Sequence, residues 1–161
     1  SHVIDKLTEM SILTETVWGL ALAAAGDGKA TPSGAYLPDP LLTNVAKLQS
    51  RRAYYELMKI AIDLTGGIIV TAPSKKDLEH PELRPLLEKY LQGVAHVPTE
   101  HRLRIVRFIQ ALVGGPVAGA LHHSGEPMEN QKIVIYRNCD SDSKVKQVKI
   151  LAGITEKEEK K

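Results

Sequence analysis

The 161-residue chain has one cysteine, Cys139. A single thiol cannot close an internal disulfide, complete a zinc site of the cysteine type or hold an iron–sulfur cluster. Aromatic residues are also scarce: one Phe, one Trp and five Tyr. A core built from this chain is therefore aliphatic, made of Leu, Ile, Val and Ala. Charge of one sign is lacking too. Lys+Arg is 21 and Asp+Glu is 19, a net +2, which is too balanced to point to nucleic acid or a membrane surface as a partner. No apolar run reaches the ~18 residues of a membrane span; residues 17–25 and 60–72 are too short or interrupted. No basic segment leading into a cleavage site follows Ser1-His2, so no signal peptide is visible, and a reduced, cytoplasmic setting is expected. There is no Gly-Lys-Ser/Thr phosphate loop, no Ser-His-Asp order, no pair of catalytic carboxylates and no zinc signature.

What is present is ordinary globular composition, 43% apolar and 25% charged, in a strongly helical pattern. Val3, Leu7, Met10, Thr14, Val17, Ala21 and Ala24 recur at helical spacing, so a helix is predicted over residues 3–25, stopped by Gly26-Asp27-Gly28. A Gly- and Pro-rich loop follows to residue 40. A second helix is predicted over 41–64, with Asp39 as N-cap, Pro40 at its first position and Gly66-Gly67 at its end. Ile68-Ile69-Val70-Thr71 is rich in strand formers but has no visible partner, so buried extended chain is expected there. Pro81 can open a short helix to about residue 92. Pro98-Thr99 opens a strong one whose apolar face is read as Ile105, Val106, Ile109, Leu112 and Val113, with Arg102, Arg104 and Arg107 as a basic surface, solvated or facing another subunit. Gly114-Gly115-Pro116 should end it, and Val117–Leu121 reads as a short apolar turn. Two further helices are predicted, one after Pro127 and one after the capping cluster 140–143. The charge-mixed stretch 155–161 reads as a frayed tail. With no internal repeat and no strand ladder, the fold class is all-α, a helical bundle occupying residues 1–154.

Three clusters could carry chemistry. The Thr65–Ser74 stretch joins paired glycines to hydroxyls. Its backbone amides can approach a phosphate closely, or the glycines can simply cap a helix before a turn. Asn44 and Lys47 share one turn of the second helix; they can meet a ligand or reach past the apolar stripe to an interface. His122 and His123 with Glu126 form either a metal or acid–base group or an ordinary polar loop; adjacent imidazoles rarely point the same way, and no metal site is expected. Cys139 is expected to be an unreactive thiol.

Several stretches, in order, resemble the C-terminal domain of the 4-hydroxybutyryl-CoA dehydratase and 4-hydroxyphenylacetate 3-hydroxylase family. They are Ser1–Lys6, Leu13–Thr16, Leu41–Lys47, Thr65–Ser74, Val97–Arg102, His122-x-x-Gly125-x-Pro127 and Leu151–Ile154. The dehydratase branch looks nearer. The resemblance implies a bundle of the acyl-CoA dehydrogenase C-terminal type belonging to a larger FAD-dependent enzyme. Such a bundle forms a tetramer core, works with N-terminal and middle domains of the same enzyme, and helps to close a flavin site that can also receive acyl-CoA. The dehydratases' iron–sulfur cluster is held by the other domains, not by this chain. Gly66 and Gly67 are then the cofactor-contact candidates, with Thr65, Asn44 and Lys47 beside them, and no catalytic residue is assigned. The family's Thr-Glu-Ser-Met, whose Glu is an active-site carboxylate, is replaced here by Ala118-Gly119-Ala120-Leu121. A glycine cannot transfer a proton. A non-catalytic oligomerisation module derived from the family is the alternative reading.

Overall fold

A computed structural model describes residues 2–123 and 127–154, with the side chains of 121–123 left aside. Among the described residues it holds nine helices and one short hairpin: α1 (His2–Gly26), β1 (Lys29–Ala30), β2 (Tyr36–Leu37), α2 (Pro40–Thr65), α3 (Ile68–Thr71), α4 (Lys75–Glu79), α5 (Leu83–Tyr90), α6 (Thr99–Gly114), α7 (Pro116–His123), α8 (Met128–Asn138) and α9 (Ser141–Leu151). The all-α reading holds. None of these helices is long and apolar enough to cross a membrane.

The helix boundaries follow local chemistry. Asp39 caps α2, its Oδ1 accepting from the Leu42 amide at 2.7 Å. Asp140 caps α9 by accepting from the Ser143 amide at 3.0 Å. Ser74 and Asp77 form a reciprocal capping box on α4, an element the apolar pattern did not announce.

Three expectations are corrected. Ile68–Thr71 is one turn of helix, not extended chain, and Val70 is 83% exposed. The glycine after α2 turns the chain so that helical bonds resume at once. Val117–Leu121 is not a turn but part of α7, which Pro116 opens. The loop after α1 carries an antiparallel pair, Lys29 with Leu37 and Ala30 with Tyr36. A Cβ on Gly28 would lie 2.5 Å from the Tyr36 ring, so only glycine admits that ring, whose hydroxyl donates to the Ala25 carbonyl at 2.8 Å.

The chain divides into two compact units, Ser1–Val17 with Gln49–Gly125 and Trp18–Leu48 with Glu126–Lys161. In the first, the core is aliphatic as expected: Ala53 and Ala61 of α2 with Leu103 and Val106 of α6. The two helices are also tied by the Tyr54 hydroxyl, which donates to the Leu112 carbonyl at 2.6 Å. Lys6 of α1 pairs with Asp63 of α2 and holds that carboxyl below its usual range. In the second unit, Ala24, Leu48 and Gln131 are buried, and the Asp39 amide bonds the Ala24 carbonyl at 2.9 Å.

Candidate functional site

The candidate site lies in the first unit, where α2 ends. Thr65 closes the helix with its hydroxyl turned back to the Ala61 and Ile62 carbonyls, at 3.1 and 2.8 Å. Gly66 then takes a left-handed φ of +62°, the usual glycine stop for a helix, and its amide still bonds the Ile62 carbonyl at 3.0 Å. Gly67 is different. Its backbone is right-handed, φ −61° and ψ −20°, and an added Cβ would meet nothing within 4 Å. No backbone conformation or neighbour in the described residues demands glycine at 67. Beyond it, the amides of Gly67 and Ile68 have no backbone acceptor among the described residues, and no side chain caps α3. A left-handed residue followed by a right-handed one turns successive N–H groups to one side, the geometry of an anion nest.

The two glycines thus make opposite predictions. Gly66→Ala places a Cβ in the left-handed region and is expected to cost about 1–2 kcal/mol. Gly67→Ala removes unfolded-state freedom without strain and is expected to raise stability by about 0.4–1 kcal/mol. Thermal denaturation of the two variants checks both signs.

Asn44 and Lys47 belong to the second unit. Asn44 donates its amide to the Pro40 carbonyl at 2.8 Å within its own helix, and Lys47 is exposed. The side chains of His122 and His123, the residues 124–126 and the tail 155–161 lie outside the described residues. Gly119 sits on α7, where a Cβ would meet nothing within 4 Å.

Of the basic residues of α6, Arg104 is solvated as their spacing suggested, but Arg102 and Arg107 are not. Arg102 donates to the Leu91 carbonyl at 2.7 Å and Arg107 to the Pro73 carbonyl, while Arg104 pairs with Glu100 at 2.6 Å. Two of the three therefore hold down the segment between α3 and α6. Nothing in the spacing of these arginines marks the carbonyls at 73 and 91 as their acceptors.

Cys139 also departs from expectation. It closes α8, and α9 brings Lys144 Nζ to 3.0 Å from its sulfur. That ammonium, with a smaller contribution from the Ser141 hydroxyl, holds the thiol below its ordinary range. Iodoacetamide labelling followed by mass spectrometry is expected to show a half-maximal pH below that of an ordinary thiol, and Lys144→Ala is expected to raise it.

The fold defines a class, the helical C-terminal region of acyl-CoA-dehydrogenase-like enzymes. A family model described as "4-hydroxyphenylacetate 3-hydroxylase C terminal" matches residues 1–153, and the chain belongs to that family. It is 33% identical to the 4-hydroxybutyryl-CoA dehydratase/vinylacetyl-CoA-Δ-isomerase of Clostridium aminobutyricum, over 96% of this chain and 34% of that protein. It is 25% identical to the oxygenase component of 4-hydroxyphenylacetate 3-monooxygenase of Escherichia coli, over 70% of this chain and 22% of that one. Among solved structures, an oxygen-tolerant archaeal 4-hydroxybutyryl-CoA dehydratase from N. maritimus superposes with a TM-score of 0.87 at 40% identity, covering 96% of this chain and 32% of that one. An FAD complex of the oxygenase component of 4-hydroxyphenylacetate 3-monooxygenase superposes at 0.81 with 21% identity, over 94% and 32%, a likeness of fold. The chain spans about a third of the length of the dehydratases it matches.

Proposed function

We propose that this chain is the C-terminal part of an FAD-dependent enzyme of the dehydratase branch, and that it contributes the Gly66–Gly67 turn to the flavin site. Gly67 carries the reading. It is a glycine that neither conformation nor crowding within its own chain requires, with open space above it. Close approach by a group from outside explains it. The Gly67 and Ile68 amides then receive oxygens of the cofactor, and Thr65 fixes the end of the helix that presents them. Asn44 and Lys47, in the second unit, are proposed as cofactor contacts separately from that turn. Bound FAD would supply the redox chemistry; this chain's share is binding and exclusion of water. Acyl-CoA is the proposed substrate class.

Large aliphatic side chains left in water support a covered role. In the first unit these are Val3, Ile4 and Leu7 of α1; in the second they are Val148, Ile150 and Leu151 of α9, the last 87% exposed. Apolar rows of this kind mark interfaces, and we assign them to a tetramer core and to the enzyme's N-terminal and middle domains. A non-catalytic assembly module is the second reading, favoured by glycine at 119, where the resemblance implies an active-site carboxylate.

Co-expression of this chain with the N-terminal part of its enzyme, purified by a tag on one piece, tests the proposal. A yellow complex of tetramer size is expected, and Gly67→Val is expected to give the same mass without the flavin spectrum. A colourless complex from the unaltered chain would leave only the assembly module.

A further inference from the structure

A second feature of the first unit adjoins the proposed flavin turn, sharing Thr65 and Ile68 with it, and extends from there to the 93–97 loop and α6. A groove of about 370 Å3 opens between the end of α2, α3, the 93–97 loop and α6. Its walls are aliphatic: Leu64, Ile68, Val94 and Ile105, with no Phe, Tyr or Trp among the lining residues. Ile105 and Val94 are 60% and 58% exposed, so the groove leaves wet the side chains that would otherwise pack. Arg102 stands at its edge beside His101.

The charge there is unbalanced. Arg84 pairs with Glu88 at 2.9 Å and Arg104 with Glu100 at 2.6 Å, but Arg102 has no carboxylate partner among the described residues. Its stem rests on Gly93, where a Cβ would lie 3.3 Å from Nε. One terminal nitrogen is spent on the Leu91 carbonyl at 2.7 Å. That bond orients the guanidinium and leaves its remaining donors without an acceptor among the described residues. A fixed, half-buried guanidinium is suited to a carboxylate. The volume accommodates roughly a dozen water-sized groups, the bulk of an octanoate ion, and the mainly aliphatic walls, with Thr65 and His101 as the other polar lining beside Arg102, suit a flexible chain.

We propose that this groove binds one medium-chain aliphatic carboxylate, its chain along Leu64, Ile68, Val94 and Ile105 and its head on Arg102. Titration of the full chain with octanoate, 1-octanol and acetate, followed calorimetrically, tests it. Octanoate is expected to bind saturably at one site, octanol at least tenfold more weakly, and acetate not measurably. Arg102→Gln is expected to reduce octanoate to the affinity of octanol. Because Arg102 also anchors Leu91, a second variant is needed on a side chain that the fold does not depend on. Val94→Asp is expected to abolish octanoate binding with no change in melting temperature. Equal affinity for octanoate and octanol, absence of a saturable site, or octanoate binding retained by Val94→Asp overturns the proposal.

Discussion

Leu103→Ala is expected to destabilise the first unit by about 2–5 kcal/mol, the range for truncating a fully enclosed leucine. Leu103 is 1% exposed and sits in the second turn of α6, between Thr99 one turn before and Val106 one turn after, both buried. Its loss removes the transfer energy of the deleted carbons and leaves a hole that α2 and α6 cannot close without dragging the Tyr54–Leu112 bond and the Arg102 and Arg107 anchors. Ile105→Ala is the control. Ile105 is two positions away but stands in the open groove, so its cost is expected to stay below about 1 kcal/mol. Urea denaturation of both variants measures the difference. Equal losses would show that the core passes through Ile105 as well.

Gln131→Met is expected to stabilise the protein by about 1–3 kcal/mol. Gln131 is 0% exposed, and neither its side-chain oxygen nor its nitrogen has a hydrogen-bond partner among the described residues. An amide stripped of water with nothing in return carries the full desolvation cost of its groups. Methionine is unbranched, similar in length and indifferent to partners, so the substitution removes that cost while keeping the volume. A rise in melting temperature without change in the helical signal is the expected result. A fall would show that the amide is satisfied in solution. The same variant in the co-expressed complex shows whether the buried amide serves the whole enzyme, because a partner there would reverse the gain.

The two long helices were legible because their signals are local. Asp39, Pro40 and the terminal glycines act on the residues beside them, and the structure places α1 and α2 within one residue of the expected bounds at each end. Helix α6 was legible in extent and in most of its facing: Val106 is buried and Ile109, Leu112 and Val113 are half-buried, but Ile105 is exposed and Leu103 was missed. Its aliphatic residues support two overlapping stripes, and the choice between Leu103 and Ile105 is made by what lies opposite, which periodicity does not contain. Strand propensity misled at Ile68–Thr71 because helical hydrogen bonding resumes directly after the left-handed Gly66. The 29–37 hairpin was missed because its two-residue strands are shorter than any alternation can register.

The candidate site divides in the same way. Paired glycines mark themselves in a sequence, and their order with Thr65–Ser74 and the other stretches was enough to indicate the family. That the two glycines differ, one required by its backbone and the other free of any internal demand, is decided by φ and by surrounding space. The roles of Arg102, Arg107 and Cys139 are likewise tertiary. Each depends on a carbonyl or an ammonium brought close by folding: Leu91 lies 11 positions from Arg102 and Pro73 34 from Arg107, and even Lys144 reaches Cys139 only because α9 begins where it does. Composition, caps and breakers act over a few residues, so the sequence alone determined the class, the long helices and the family. Charge pairing, the buried leucine and the open groove depend on distances between segments, and only the folded chain sets those.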